Sequence, residues 1–154
     1  MATNSILSTW ADRAGLTTPS QGAEVVEGWG GMDFAWEIRR SHDRYAVVKV
    51  ERSASIVGTF SDVESAEKVL LLKIAAGWRS DQRLPHLSAD SLATGFELDE
   101  GPASTDLRWS TGDAEFATGR PGRFAALDAS RVLGHSLASV SAALERPDGG
   151  ALFS

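Results

Sequence analysis

The run Gly134-His135-Ser136-Leu137-Ala138 has the outline of a nucleophile elbow, in which a serine is held on a sharp turn between a buried strand and a helix. That chemistry needs an acid and then a histidine downstream of the serine. His135 is the last histidine of the chain, and the apolar residues around Ser136 recur at helical spacing, so the triad cannot be assembled in that order. His42, His86 and His135 are dispersed, and none has a second ligand at zinc-site spacing. Gly28-Trp29-Gly30-Gly31 lacks the third glycine, the following helix and the later ribose-binding acid of a dinucleotide fingerprint. It reads instead as a glycine-rich hairpin tip, whose functional version is a mobile loop presenting Trp29 as an aromatic anchor. No two carboxylates form an acid/base couple, and Asp99-Glu100 reads as a solvated loop pair. The sequence therefore predicts no catalytic residue, no metal site and no cofactor.

Composition narrows the remaining classes. The 154 residues carry 15 Lys+Arg against 21 Asp+Glu, and a formal net charge of −6 argues against a nucleic-acid backbone or an anionic membrane as the partner. An acidic protein more naturally meets a basic one. The absence of cysteine removes disulfides, thiolate metal sites and cysteine nucleophiles together, and it leaves no sign of an oxidising compartment. No basic cluster with a following apolar run marks a signal peptide, and no apolar stretch nears the roughly 18 residues of a membrane span. The expectation is one domain over residues 1–154, cytoplasmic, with a core that needs no staple at this length.

The elements that would position any functional residue follow from periodicity. Ile6, Leu7, Trp10, Ala11 and Ala14 have helical spacing, with Asn4 or Ser5 as N-cap and Gly15 as the stop. Ala23 to Glu27 is β-prone, and Phe34, Trp36 and Ile38 alternate with polar residues along a second strand. Tyr45 to Arg52 is the strongest strand signal and belongs at the centre of a sheet, with Ile56 to Phe60 following it. Ser61-Asp62-Val63-Glu64 has the form of a capping box opening the longest helix, with an apolar stripe through Val63, Ala66, Val69, Leu70, Ile74 and Trp78. Thr105 to Ser110 and Asp113 to Thr118 read as a second hairpin about Thr111-Gly112, with Leu107, Trp109, Ala114 and Phe116 available to face inward. Arg123 to Leu127 reads as a short strand before a final helix through Leu133, Leu137, Val140 and Leu144. Ala151-Leu152-Phe153 docks as a last strand or packs on a helix. The sum is an α+β fold: a mostly antiparallel, twisted sheet of about six strands packed with three helices, one N-terminal, one long and central, one C-terminal.

Charge is unevenly spread along this frame. Between Pro85 and Thr118 lie seven acidic residues and a single basic one, Arg108, so this stretch alone carries the net charge of the whole chain. The stretch reads either as a solvated surface that serves solubility or as an electrostatic face that steers a basic partner, and its contiguity is what speaks for the second. Trp10, Trp36 and Trp78 fall on apolar faces, which leaves Trp29 and Trp109 as interface candidates.

Five pieces of sequence together resemble the Immunity protein 61 group of bacterial polymorphic toxin systems, related to the immunity factor of tuberculosis-necrotizing-toxin-type NAD glycohydrolases. They are Trp10-Ala11-Asp12-Arg13-Ala14-Gly15 closing the first helix, Tyr45 to Ser53 as a strand ending in Glu-Arg-Ser, and Ser61 to Leu72 leading to Gly77-Trp78-Arg79. Gly95-Phe96-Glu97-Leu98-Asp99 and Pro147-Asp148-Gly149-Gly150-Ala151-Leu152-Phe153 complete them. The resemblance implies a non-enzymatic inhibitor that binds a cognate toxin domain one to one in the cytosol and covers its active site, with NAD glycohydrolysis as the candidate toxin reaction. The expected toxin-binding residues are then Trp29, Met32, Asp33, Glu97, Asp99, Glu100, Asp106 and Trp109. The competing class is a secretion-chaperone-like adaptor for an exported client, because the same element order occurs in type III secretion-chaperone-like proteins.

Overall fold

Eight antiparallel strands form one sheet in the computed structural model, which describes residues 5–153. In chain order the elements are α1 (Ser5–Arg13), β1 (Thr18–Pro19), β2 (Val25–Gly30), β3 (Ala35–Ser41), β4 (Arg44–Val50) and β5 (Ala54–Phe60). There follow α2 (Val63–Asp81), β6 (Glu97–Glu100), β7 (Thr105–Trp109), β8 (Gly112–Phe116), α3 (Gly119–Leu133) and α4 (Leu137–Leu144). The spatial order is β1-β2-β3-β4-β5-β8-β7-β6, so every step is antiparallel and β4 lies in the middle, as its composition predicts. The α+β class stands, with eight strands rather than about six and four helices rather than three among the described residues. Asn4, a candidate N-cap, lies outside the described residues.

The extra elements have local causes. β1 is a two-residue edge that the turn-rich Thr17 to Gly22 conceals, and β6 arises where Asp99-Glu100 was expected as a loop. Hydrogen bonding to β7 overrides the low strand propensity of three acids in four residues. Arg123 to Leu127, expected as a strand, lies inside α3, which buries Gly122, Ala126, Leu127, Ala129, Ser130, Val132 and Leu133 in a helical stripe. The expected single last helix is broken at Gly134 to Ser136, where Ser136 caps α4 by accepting the Ser139 N–H at 3.1 Å. The cap of α2 is Asp62 rather than Ser61: its Oδ1 accepts the Ser65 N–H at 2.8 Å. Ser61 Oγ instead accepts the Asp113 N–H at 3.0 Å and so ties the start of α2 to β8. Leu152 packs into the core, the second of the two roles open to the last apolar residues.

Registers define the two faces of the sheet. Residues paired across antiparallel strands point to the same side. One such row is Tyr45, Phe60, Ala114, Leu107 and Leu98, and another is Ile38, Val47 and Gly58. These face α2 and α3, and the core is the slab between. Gly58 is required there, because a Cβ would meet the Phe116 ring at 2.7 Å. Behind α2, α1 and α4 are joined by polar contacts set among aromatic rings. Trp10 Nε1 donates to Ser141 Oγ at 2.8 Å, and its ring meets Trp78 edge-on at 5.2 Å. Arg13 sits 4.8 Å from the centre of the Trp10 ring while ion-pairing with Glu145 at 2.7 Å.

Arg79, at the end of α2, is 3% exposed. Its Nη1 donates to the carbonyls of Leu144 (2.9 Å) and Arg146 (2.6 Å), and its Nη2 to those of Pro85 (3.0 Å) and Pro147 (2.7 Å). One planar fork thus pins the connection after α2 and the chain leaving α4 to the same helix end. Burial pulls the guanidinium below its usual pKa while Asp148 acts in the opposite sense, and an arginine nevertheless keeps its charge. Replacing Arg79 with Ala leaves four carbonyls without their donor and is expected to cost at least about 3 kcal/mol in urea unfolding. R79K restores only part of this, because an ammonium lacks the fork.

Asp128, on α3, accepts the buried Ala89 N–H at 2.8 Å. Desolvation raises its carboxyl above the ordinary value, opposed by that hydrogen bond and by Lys73 and His86. A raised acid pKa means that the folded chain holds this proton more tightly than the unfolded one. The contribution of Asp128 to stability therefore falls as pH rises from the ordinary carboxylate value through the folded one. Melting curves across that range should show a shallower pH slope for D128N, which keeps a carbonyl acceptor, and no loss of stability at pH 7. D128A strands the Ala89 N–H and should lose about 1–3 kcal/mol at every pH.

Candidate functional site

A cleft between α2 and the chain that follows it is lined by Lys73, Arg79, Ser80, His86 and Asp128. It holds a hydroxyl, an imidazole and a carboxylate, yet among the described residues no hydrogen bond links His86 to either of the others. Asp128 is engaged with a backbone amide and Arg79 with backbone carbonyls. Gly134-His135-Ser136 lies between two helices, without the preceding strand that an elbow requires. Among the described residues no three His, Asp or Glu side chains are grouped to hold a metal ion.

The face of the sheet turned away from the helices has a different character. Following the register, one row crosses it from Val25 through Arg39, Ala46 and Thr59 to Glu115, Asp106 and Asp99. At the β2–β3 end, Gln21 to Glu24 fold over a depression shared with Ala35, Glu37, Arg39 and Val50. There Glu37 is buried and ion-paired with Arg39, and the backbone of Gly28 lies so close that any Cβ would collide with the Glu37 side chain. At the β8–β7–β6 end Asp99 and Glu115 are exposed and Asp106 is half-buried. Glu115, Asp106 and Asp99 are direct cross-strand neighbours, three carboxylates in line, with Asp106 also accepting the Ser104 hydroxyl at 2.8 Å. The adjacent row, Glu97, Arg108 and Asp113, alternates in sign, and Asp113 pairs with Arg44 at 2.8 Å.

Ile56, on β5 beyond its pairing with β8, is 63% exposed. Strict alternation from Phe60 would turn it inward. Between Val47 and Val48 the register slips, with Gly58 opposite the first and Ile56 opposite the second, so β5 carries an extra residue, Val57, in a bulge that turns Ile56 to the outer face. The composition of the strand gives no signal of this, since the bulge is set by pairing.

Of the nominated residues, the fold brings Glu97, Asp99 and Asp106 together on the outer face, with Glu100 at the end of the same edge strand. Met32 and Asp33 are exposed at the β2–β3 turn, on the far half of the sheet. Trp29 is a correction: it lies within β2, pairs with Trp36 on the helix side and is 5% exposed, because the strand runs on through Gly30 and the turn comes after it. A mobile loop carrying this ring does not exist. Trp109 is half-buried against Phe96, with ring centres 5.6 Å apart. Glu115 and Ile56 were not among the nominated residues. Glu115 is legible as part of the acidic stretch, whereas its alignment with Asp106 appears only in the register.

Among the described residues no helix is long and apolar enough to cross a membrane. Residues 10–152 match the family model described as Immunity protein 61. Among solved structures, Rv3902c from M. tuberculosis has the same fold, with a TM-score of 0.76 and 18% sequence identity over 99% of this chain and 94% of that one. No curated protein matches the sequence.

The line of three carboxylates carries a stability cost in the isolated protein, since like charges directly opposite on a sheet repel. Glu115→Lys sets a cation beside Asp106 and is expected to raise stability by a few tenths to about 1 kcal/mol in urea unfolding at low salt. That gain should shrink as salt is added.

Proposed function

The chain belongs to the Immunity protein 61 family and so has an immunity role toward a cognate toxin, and from that premise we propose a non-enzymatic inhibitor acting in the cytoplasm. It binds the toxin domain one to one, covers its active site and, by the resemblance of its sequence, opposes an NAD glycohydrolase. The observation that supports the outer face as the docking surface is the row Glu115, Asp106 and Asp99. An arrangement unfavourable in the free protein becomes favourable once a basic surface lies against it. Ile56, three residues along β5 from Thr59 of that row, supplies exposed apolar area on the same face. A basic rim around the toxin's cleft is the matching feature. Carboxylates at such a position mainly speed association, so affinity should weaken with salt through the on-rate.

The test is to titrate the protein into the toxin domain encoded beside its gene while following NAD consumption. Activity should fall to zero at an equimolar ratio. Undiminished NAD consumption would remove this pairing, and tight binding without inhibition would favour an adaptor that holds an exported client. E115K should slow association about tenfold at low salt and flatten its salt dependence, while the variant itself is no less stable than the parent.

A further inference from the structure

The two sides of the sheet end differently. β1 has two residues, one of them Pro19 with no N–H to offer another strand. β6 is a four-residue edge paired with β7 alone. The Gly101 N–H donates to the Ser104 carbonyl at 3.0 Å, in the same register that pairs Asp99 with Asp106 and Glu97 with Arg108. Gly101, Asp99 and Glu97 therefore turn their main-chain groups toward β7. By the alternation of an antiparallel ladder, Leu98 and Glu100 turn theirs outward, away from the sheet. Those two N–H and two C=O groups form a template for one more strand.

Side chains decide which strand can use it. Glu97, Asp99 and Glu100 are all exposed, and Asp99 continues into the carboxylate row of β7 and β8. A second copy adding through its own β6 would set these acids against their duplicates, which the repulsion between like charges disfavours. A strand bearing Lys or Arg on the outer face would instead lie beside Asp99 and within reach of Asp106. The other interruption of the sheet, the part of β5 from Ala54 to Val57 beyond its pairing with β8, carries no charge to select a partner.

We infer that the toxin contributes an extended basic segment that adds to β6 as a ninth strand, hydrogen-bonding to Leu98 and Glu100 and placing its cationic side chains over the outer face. This inference rests on the toxin-binding role proposed above and specifies how the toxin is held. The main-chain bonds supply a fixed register, and the acids supply the choice of partner.

Hydrogen exchange on the full chain, free and in complex with the adjacent-gene toxin domain, tests it directly. The Leu98 and Glu100 amides should exchange freely in the isolated protein and at least tenfold more slowly in the complex. A pair of variants separates main chain from charge. Glu100→Pro removes an outward N–H at an edge position that tolerates proline, whereas Glu100→Ala removes only the carboxylate. E100P should weaken toxin binding at least tenfold more than E100A. A complex that forms and inhibits the toxin while both amides exchange as before overturns strand addition and leaves the toxin-binding role intact. If no complex forms, that role fails and the inference falls with it. Protection of both amides in the isolated protein, together with a dimer in sedimentation, would assign the edge to a second copy and also overturn it. The exchange measurement decides the matter even if E100P does not fold.

Discussion

A charged group that has lost its water needs acceptors, and the two terminal nitrogens of Arg79 find them in four main-chain carbonyls from two separate stretches of chain. The consequence reaches well beyond one side chain. Pro85 begins the path toward β6, while Leu144, Arg146 and Pro147 close α4, so the guanidinium fixes where both leave the helix layer. Further along that path Asp128 and Ser130 accept the Ala89 and Ala93 N–H groups and Arg131 donates to the Ser91 carbonyl, so the approach to the acidic strands is held by the buried cation together with the polar side of α3. The Trp10, Trp78 and Arg13 assembly acts in the same layer and holds α1 and α4 against α2.

These contacts explain what the resemblance in sequence consists of. Gly77-Trp78-Arg79 and Pro147 to Phe153 are far apart along the chain, yet the first supplies the donor and the second one of its acceptors, with Leu152 buried nearby in the core. Trp10 to Arg13 supplies the partners of Trp78. The recognisable pieces are mostly scaffold. Gly95 to Asp99 differs, since it leads into the exposed edge strand, where Leu98 faces the core and its acidic neighbours face water.

Legibility in the sequence followed the range of the interactions involved. β3, β4 and α2 could be read because alternation or helical spacing and burial agree over many residues, and Trp36, Ile38, Val47 and Leu70 are core as their patterns require. Where pairing partners distant in sequence decide the outcome, local reading failed. β6 is a strand because β7 lies beside it, α3 incorporates Arg123 to Leu127 because its stripe has β7 and β8 to cover, and Ile56 turns outward because of a bulge across β4 and β5. The glycines on either side of Trp29 suggest a turn, whereas Gly28 is there to let the Glu37 side chain pass. The acidic stretch was visible as a net charge. Its conversion into a line of carboxylates on one face needed the register of three strands.

With all four helices on one side, each strand of the β6–β7–β8 unit is a record written on two surfaces: Leu98, Leu107 and Ala114 toward the core, Asp99, Asp106 and Glu115 toward water. The two sets alternate residue by residue and point to opposite faces, so either can be rewritten while the other is kept. A lineage facing a new adversary could therefore change its recognition code one outward position at a time, without passing through an unfolded ancestor.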